Sequence, residues 1–426
     1  MITRRNYLLF SIFLLCGFLC FPVSAFMSVW NTTSPGGLIS DLAISDDGSH
    51  VVVGTTGGLG IVYDQNGTLL WETQVPGSLL VGCLDNGTAF ILASQEDIAT
   101  NKGALRLYDQ TGVERWYVNT GAVEALDLPA KTNRIVIGNR IGETIVLNDL
   151  GKEIARFDEK PGTPIIADLS VAADGKVFSY VVYERFPQVR YVTIDTKKKN
   201  TFKLSFSGDK TGIGSIPSIR QVVISSDGKF ITTAGGEGSQ GILTLYARNG
   251  TMLWSKKMDS IRDIAITKNG SYVFTGTTGG NISCYSQTGN LSWVYPVGAE
   301  VTSLSLAPDK ELLAVGDAKG DIFLFNATGN LFFTLVWTEH ISGFPSSEIS
   351  QVRLARNGTA LVAVVNGKSL YYFGNESNIA PEKNNITRTS PTPIPTITPK
   401  TGVFSIPRLT KIWNVWKNLT APLWTR

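Results

Sequence analysis

The chain has 426 residues, 43% of them hydrophobic and 17% charged, with 43 glycines and a formal net charge of +3. That length allows a large buried core, and the near-neutral charge excludes the basic surface of a nucleic-acid-binding protein. Two histidines, His50 and His340, are too few to build a zinc centre or a Ser/His/Asp triad with confidence in the donor set, so no metal site and no catalytic residue are assigned.

The first 25 residues read as a secretory leader: basic "MITRR", an apolar run, then "PVSA", which places cleavage after Ala25. The run is short for a membrane span, so cleavage is expected over a retained anchor, and either way the body lies outside the cytoplasm. Cys16 and Cys20 leave with the leader. Cys83 and Cys284 sit far apart on apolar runs and read as two buried thiols rather than a disulfide.

The next stretch, "MSVWNTTSPGG" from Met27, reads as the last strand of a unit whose earlier strands are missing. Downstream, "QNGTLLWE" (Gln65–Glu72), "QTGVERWY" (Gln110–Tyr117), "RNGTMLWS" (Arg248–Ser255), "QTGNLSWV" (Gln287–Val294) and "ATGNLFFT" (Ala327–Thr334) superpose, with "DLGKEIAR" (Asp149–Arg156) a degenerate copy. Their spacing of about forty residues, with four short strands per unit, marks a propeller blade. Each unit runs from an apolar strand into a turn such as "LAISDDG", through a second strand ending in glycines, then a third, and then the Trp-bearing fourth. Asn-Gly and Asp-Gly are the hairpin dipeptides because such turns need positive φ.

Eight first strands are counted, near Leu42, Leu80, Leu126, Leu169, Val222, Ile264, Leu304 and Val352, but only seven fourth strands follow them. The spacing of Trp30 from Trp71 is one repeat. An all-β, eight-bladed β-propeller is therefore predicted, with seven blades as the alternative, closed by the N-terminal strand pairing with Ser369–Phe373.

These units resemble the PQQ-like (quinoprotein-type) propeller repeats and, more loosely, WD repeats. The resemblance rests on the signature in Tyr63, Asp64, Gly67 and Trp71, repeated in Tyr108, Asp109, Gly112 and Trp116. It implies that Trp30, Trp71, Trp116, Trp254 and Trp293 dock neighbouring blades, with Phe333 substituting in one unit and Ala155 departing. Some members of that family are PQQ-dependent dehydrogenases with a vicinal-cysteine disulfide and a calcium below the quinone. The mature part of this chain has no adjacent cysteines and no acidic set that matches that metal site, so no cofactor is expected. Other members are assembly or scaffold proteins, and the chain resembles these more. Its leader, Thr/Pro-rich linker and sequons also resemble secreted propellers of archaeal cell surfaces.

Asp46, Asp47, Asp227 and Asp309 fall in hairpin turns and read as turn chemistry, and the two "GTTGG" copies lead into no helix, so neither is a phosphate cradle. Three segments break the repeat: Ala93–Ala104, Tyr183–Arg190 and Thr338–Glu348. All are expected on one ring face, which makes Glu96, Asp97, Lys102, Glu184, Arg185, Arg190 and His340 the candidates for contact with a protein or surface polymer. Sequons N-x-S/T stand at Asn31, Asn66, Asn86, Asn249, Asn269, Asn281, Asn290, Asn326, Asn357, Asn375, Asn385 and Asn418 and are candidate glycosylation sites.

After Gly374 the pattern stops. Residues 375–402 form a polar, Pro/Thr-rich spacer, and 403–426 a tail in which Leu409, Ile412, Trp413, Trp416 and Leu419 share one helical face. From Asn375 onward there are seven basic and two acidic residues. Trp413, Trp416, Lys411 and Lys417 are expected at a membrane surface. The domain reading is thus leader 1–25, propeller 26–374, linker 375–402 and tail 403–426. The functional expectation is a secreted or cell-surface, non-catalytic and monomeric propeller that binds or scaffolds. A quinoprotein-like oxidoreductase and a structural envelope component are the alternatives.

Overall fold

The computed structural model describes residues 26–84, 87–159, 165–183, 188–193, 198–202, 218–237, 239–326, 334–342 and 347–375. The leader, Glu184, Arg185, Phe333, Asn86, Asn385, Asn418, the linker and the tail lie outside them. Among the described residues there are 32 strands and no α-helix, and no helix is long and apolar enough to cross a membrane.

The strands form eight antiparallel four-stranded sheets. Strands β2–β5 (Ile39–Ile44, His50–Thr55, Leu59–Asp64, Leu69–Gln74) make blade 1, and β6–β9 (Ser78–Leu84, Ala89–Gln95, Ala104–Asp109, Glu114–Asn119) make blade 2. Blade 3 is β10–β13 (Val123–Asp127, Ile135–Asn139, Glu143–Leu147, Glu153–Asp158), and blade 4 is β14–β17 (Ile165–Val171, Val177–Tyr183, Gln188–Thr193, Lys198–Phe202). Blade 5 is β18–β21 (Ser218–Ile224, Phe230–Glu237, Gln240–Ala247, Met252–Asp259), and blade 6 is β22–β25 (Ile261–Ile266, Tyr272–Thr277, Asn281–Ser286, Leu291–Pro296). Blade 7 is β26–β29 (Val301–Ala307, Leu312–Asp317, Asp321–Asn326, Thr334–His340). Blade 8 joins β30–β32 (Ile349–Leu354, Ala360–Val365, Ser369–Asn375) to the opening strand β1 (Phe26–Thr33), in the order β1-β32-β31-β30.

The fold is therefore the eight-bladed propeller that the repeat predicts, and β1 closes the ring. Its register pairs Met27 with Gly374, Trp30 with Tyr372 and Thr33 with Ser369. Closure matters because an unpaired β32 would leave a row of open N–H and C=O groups.

Burial follows from the blade geometry. Second strands are covered on both faces by neighbouring blades, so Val51, Val52 and Val53 are all buried. Fourth strands lie at the rim and are mostly exposed: in β5 only Trp71 is buried, between exposed neighbours. Core clusters form between blades, as where Val362, Leu370 and Tyr372 of blade 8 meet Leu42, Val53 and Tyr63 of blade 1.

First strands neighbour one another around the axis. Antiparallel order then puts first-to-second and third-to-fourth turns on one ring face, called here the turn face. Second-to-third turns and the blade-to-blade connections open on the other, the loop face.

Candidate functional site

The axis is lined by first strands, and a register shift bends most of them near their start, between Ile39 and Asp41, Ile166 and Asp168, and Ile261 and Asp263. Such a bulge re-aims the side chain that follows it. A cavity of about 430 Å³ lies there, bordered by Asp127, Asp168, Gln221, Arg262, Asp263 and Arg353, and a second of about 410 Å³ continues past Asp127 and Arg353 to Arg356.

The carboxylates of this channel are already engaged. Asp41 accepts the Val81 N–H at 2.9 Å, Asp127 that of Val171 at 2.8 Å, Asp168 that of Val222 at 2.8 Å, and Asp263 that of Leu304 at 2.7 Å. Each therefore ties its blade to the first strand of the next. Asp127, Asp168 and Asp263 also accept the N–H of the following residue, at 2.8, 3.0 and 2.8 Å. Burial in the channel disfavours their ionised forms, which pushes Asp127 up to about 6 and Asp168 up to about 7 and raises Asp41 and Asp263. Arg353 works against the shift at Asp41 and Asp263.

A quinone with its calcium does not fit this donor set. The channel carboxylates stand on separate blades with their oxygens committed to main-chain N–H groups. Among the described residues no three His, Cys, Asp or Glu side chains converge as metal ligands. Cys83 and Cys284 stand on β6 and β24, in different blades, and form no disulfide.

The loop face carries the irregular segments. Between β7 and β8 the chain forms a structured arm. Asp97 and Lys102 bridge across its base, and Asp97 accepts the Thr100 hydroxyl at 2.6 Å and the Ala99 N–H at 2.9 Å. These bonds hold the Asp97 carboxyl below its ordinary range. Asn101, at φ 51°, accepts the Ala122 N–H at 3.1 Å and so fastens the arm to the connection between blades 2 and 3. Glu96 is drawn inward by Arg106 at 3.2 Å, whose guanidinium also lies 4.8 Å from the centroid of the Tyr117 ring. Lys102 and Ile98 are left exposed. Leu38 and Ile141 are also exposed on this face, so three large apolar side chains are presented across blades 1 to 3.

The other expected contact residues are placed differently. His340 is exposed at the end of β29, with Nδ1 2.7 Å from Asp321 Oδ1. Arg190 is buried: its Nε meets Glu159 Oε2 at 3.1 Å, and Tyr180 O–H donates to the other oxygen of Glu159. The phenol of Tyr180 is pushed up by burial and by the Glu159 charge. Arg190 is thus part of the packing between blades 3 and 4 and offers no exposed charge. The sequence gives no hint of Glu159 as its partner, because the two stand 31 residues apart.

Trp30, Trp71, Trp116 and Trp254 lie against the third-to-fourth turn of the following blade, at Gly67, Gly112, Gly151 and Gly289. Trp30, Trp116 and Trp254 donate their indole N–H to the carbonyls of Gln65 at 3.1 Å, Asp149 at 2.8 Å and Gln287 at 2.9 Å. Trp71 packs on Phe90 and Tyr108, and Trp293 on Phe325. In blade 7 the expected docking residue Phe333 lies outside the described residues, and the register puts Trp337 at the docking position. Trp337 pairs with Leu324 just after a bulge, as Trp71 pairs with Val62 and Trp293 with Cys284. Strand β28 ends at Asn326 and β29 begins at Thr334, whereas β24 ends at Ser286 and β25 begins at Leu291, so the docking position lies further along the chain in blade 7. Trp337 packs 5.3 Å from Phe373 and 5.8 Å from Phe26. Its alternation with Leu335 along "TLVW" is the signal that locates it.

No curated protein matches the sequence significantly. Among solved structures, the chain is similar to the C-terminal WD40 domain of Sif2, at 15% identity and a TM-score of 0.63, covering 83% of this chain and 99% of that one. It is equally similar to the computationally designed Ika8 protein, at 16% identity and a TM-score of 0.61, with 82% and 99% covered. These likenesses concern the fold. A family model described as outer membrane protein assembly factor BamB matches residues 27–173 and 238–379, which span most of the propeller. The chain belongs to that family of PQQ-type propellers.

Proposed function

We propose that this protein is a non-catalytic propeller that works outside the cytoplasm by binding a partner protein on its loop face. The observation that carries the reading is the arm between β7 and β8. It is held rigid by Asp97, Asn101 and Lys102 yet presents Ile98 at 48% exposure. Structured loops on a rigid scaffold are where binding function concentrates, and a preorganised apolar anchor lowers the entropy cost of association. The commitment of the channel carboxylates to blade-to-blade hydrogen bonds supports a structural channel. The family description, an assembly factor of outer membrane proteins, accords with a role in holding other proteins at an envelope.

The experiment is site-specific photo-crosslinking in the producing cells, with the crosslinker at Ile98 on the loop face or at Val113 on the turn face. A discrete protein adduct from Ile98 and none from Val113 is expected. Equal adducts from both positions, or none from Ile98, would refute the face assignment. Turnover of an alcohol with an artificial dye after soaking the purified protein with PQQ and calcium would refute the non-catalytic reading.

A further inference from the structure

Six Asn-Gly dipeptides occur in the chain, at Asn66, Asn86, Asn249, Asn269, Asn357 and Asn366. A tight hairpin turn favours Asn-Gly for its positive φ, and a Ser or Thr two positions after the Asn can add a bond to its Oδ1, as the hydroxyls of Ser271 and Thr359 do at 2.7 Å. The third residue is not fixed by the turn, since of the three Asp-Gly copies Asp47 is followed by Gly-Ser but Asp174 and Asp227 by Gly-Lys. Yet the first five Asn-Gly copies all have Ser or Thr two positions after Asn. All five belong to first-to-second or third-to-fourth connections, which open on the turn face. The sixth, Asn366, lies between β31 and β32 on the loop face and is followed by Gly-Lys. A hydroxyl two residues on is what N-glycosylation requires.

We propose that the protein carries N-linked glycans on Asn66, Asn249, Asn269 and Asn290, all on the turn face, and that the loop face is left bare. The proposal rests on the extracytoplasmic location given under the proposed function. All four asparagines are exposed. At Asn269 the Ser271 N–H and hydroxyl donate to Oδ1 at 3.1 and 2.7 Å, and at Asn249 the Thr251 N–H donates at 3.0 Å, so the carbonyl end is engaged and Nδ2 is the group left to react.

In the transfer, a membrane transferase presents a lipid-phosphate-linked sugar. The asparagine Nδ2 forms a C–N bond to the anomeric carbon as the C–O bond to phosphate breaks, the lipid phosphate leaves, and one amide proton passes to the transferase. Asn357 is an exception within the turn face, because it is half-buried and its Nδ2 donates to Asp47 O at 3.2 Å across the seam between blades 8 and 1, whereas the Nδ2 bonds of Asn290 to Thr288 Oγ1 at 3.2 Å and of Asn66 to Asp64 Oδ2 at 3.5 Å stay within one exposed turn. Asn281 is half-buried at the loop-face end of β24.

Three of the four sites also adjoin exposed apolar side chains. Leu69 and Leu70 follow Asn66 closely, Met252 and Leu253 follow Asn249, and Leu291 follows Asn290, each between 41% and 55% exposed. A sugar at the turn would cover apolar surface that otherwise faces water.

The test is peptide mass mapping of the full chain purified from the cells that normally produce it. Glycan mass is expected on the peptides of Asn66, Asn249, Asn269 and Asn290, with Asn357 and Asn281 at their unmodified mass. The Ser271→Ala variant keeps the Asn-Gly turn and should lose modification at Asn269 alone. Bare asparagines at the four sites, or equal modification of Asn281 and Asn357, overturn the proposal. The N-terminal peptide separates the two readings. A chain starting at Phe26 with bare asparagines refutes the glycans and keeps the location, whereas bare asparagines on a body shielded from protease added outside intact cells count against both.

Discussion

The indole N–H of Trp30 donates to the carbonyl oxygen of Gln65 at 3.1 Å, joining a strand of blade 8 to a turn of blade 1. The same ring stacks on Tyr372 of its own blade at 5.4 Å and contacts Tyr63 of the next. Trp30→Ala should therefore cost about 2–3 kcal/mol, below the ~3–5 of a fully buried tryptophan because Trp30 is half-buried. Urea denaturation measures it. Removing Phe26–Thr33 altogether should bare the edge of β32 and lower the thermal midpoint sharply, with aggregation. An unchanged midpoint would contradict closure by this strand.

Gly67 stands at φ 81° in the turn that receives Trp30, and a Cβ there would lie 2.7 Å from Trp30 Cγ. Gly298, at φ 84°, has nothing within 4 Å of the same built atom. Gly298→Ala should cost about 1–2 kcal/mol, the left-handed backbone penalty alone. Gly67→Ala should cost clearly more, since the ring must also move. Equal losses in chemical denaturation would show that the approach of Trp30 to the turn is loose.

The channel carboxyls set a pH dependence with a definite sign. In the folded chain Asp127 and Asp168 titrate at about 6 and about 7, and burial raises Asp41 and Asp263 as well. An unfolded aspartate releases its proton near ~3.9. Between those values the folded state binds more protons, so stability should fall as pH rises from about 4 to 7. His50, whose pKa burial lowers, acts in the opposite direction near its own titration. The turn aspartates Asp47, Asp109 and Asp227 have lowered values, so their contribution is present above pH ~4 and lost as pH falls further. Denaturation across pH 3 to 8 should thus show a maximum on the acid side of neutrality. A maximum at pH 8 would contradict the raised channel values.

Arg190 and Glu159 form an ion pair out of solvent, with Tyr180 as third member. Arg190→Ala leaves a buried carboxylate without its cation and should cost about 3 kcal/mol or more. Tyr180→Phe removes one hydrogen bond to that charge and should cost about 1.5–3 kcal/mol. Thermal unfolding of both variants decides the order, and a harmless Arg190→Ala would mean that water replaces the guanidinium.

The tail is expected to bring the protein to anionic lipid through Trp413, Trp416, Lys411 and Lys417. Flotation with phosphatidylglycerol-containing liposomes should carry the full chain upward, and a chain ending at Gly374 should stay behind. Equal flotation would sink the membrane-surface assignment.

Much of the fold was legible because a propeller repeats its grammar. The Gly-x-x-x-Trp spacing, the Asn-Gly and Asp-Gly turns and the surplus of one first strand led to eight blades and to the clasp at Trp30. Trp337 was hard to see because β28 and β29 lie further apart in sequence than β24 and β25, which moves the docking position off the common spacing. The site was less legible. Arg190 and Lys102 are alike in sequence as cations in irregular loops, yet one is buried on Glu159 and the other exposed. That difference depends on residues from separate strands meeting in space, which no local pattern encodes. The roles of Asp41, Asp127, Asp168 and Asp263 were hidden for the same reason, since each bond reaches into the next blade.

Tyr372 donates its hydroxyl to the carbonyl of Gly48 at 2.9 Å, a contact spanning 324 residues. This seam gives the molecule an order of events in time. The strand from Phe26 to Thr33 emerges first and waits without a partner until Ser369–Asn375 have been made, so the slowest contact to form is also the last one required. Until then two strand edges stay open to pairing with other chains. Locking of the ring therefore reports that the whole propeller has been synthesised, and a chain that stops short of blade 8 has no closed state to reach.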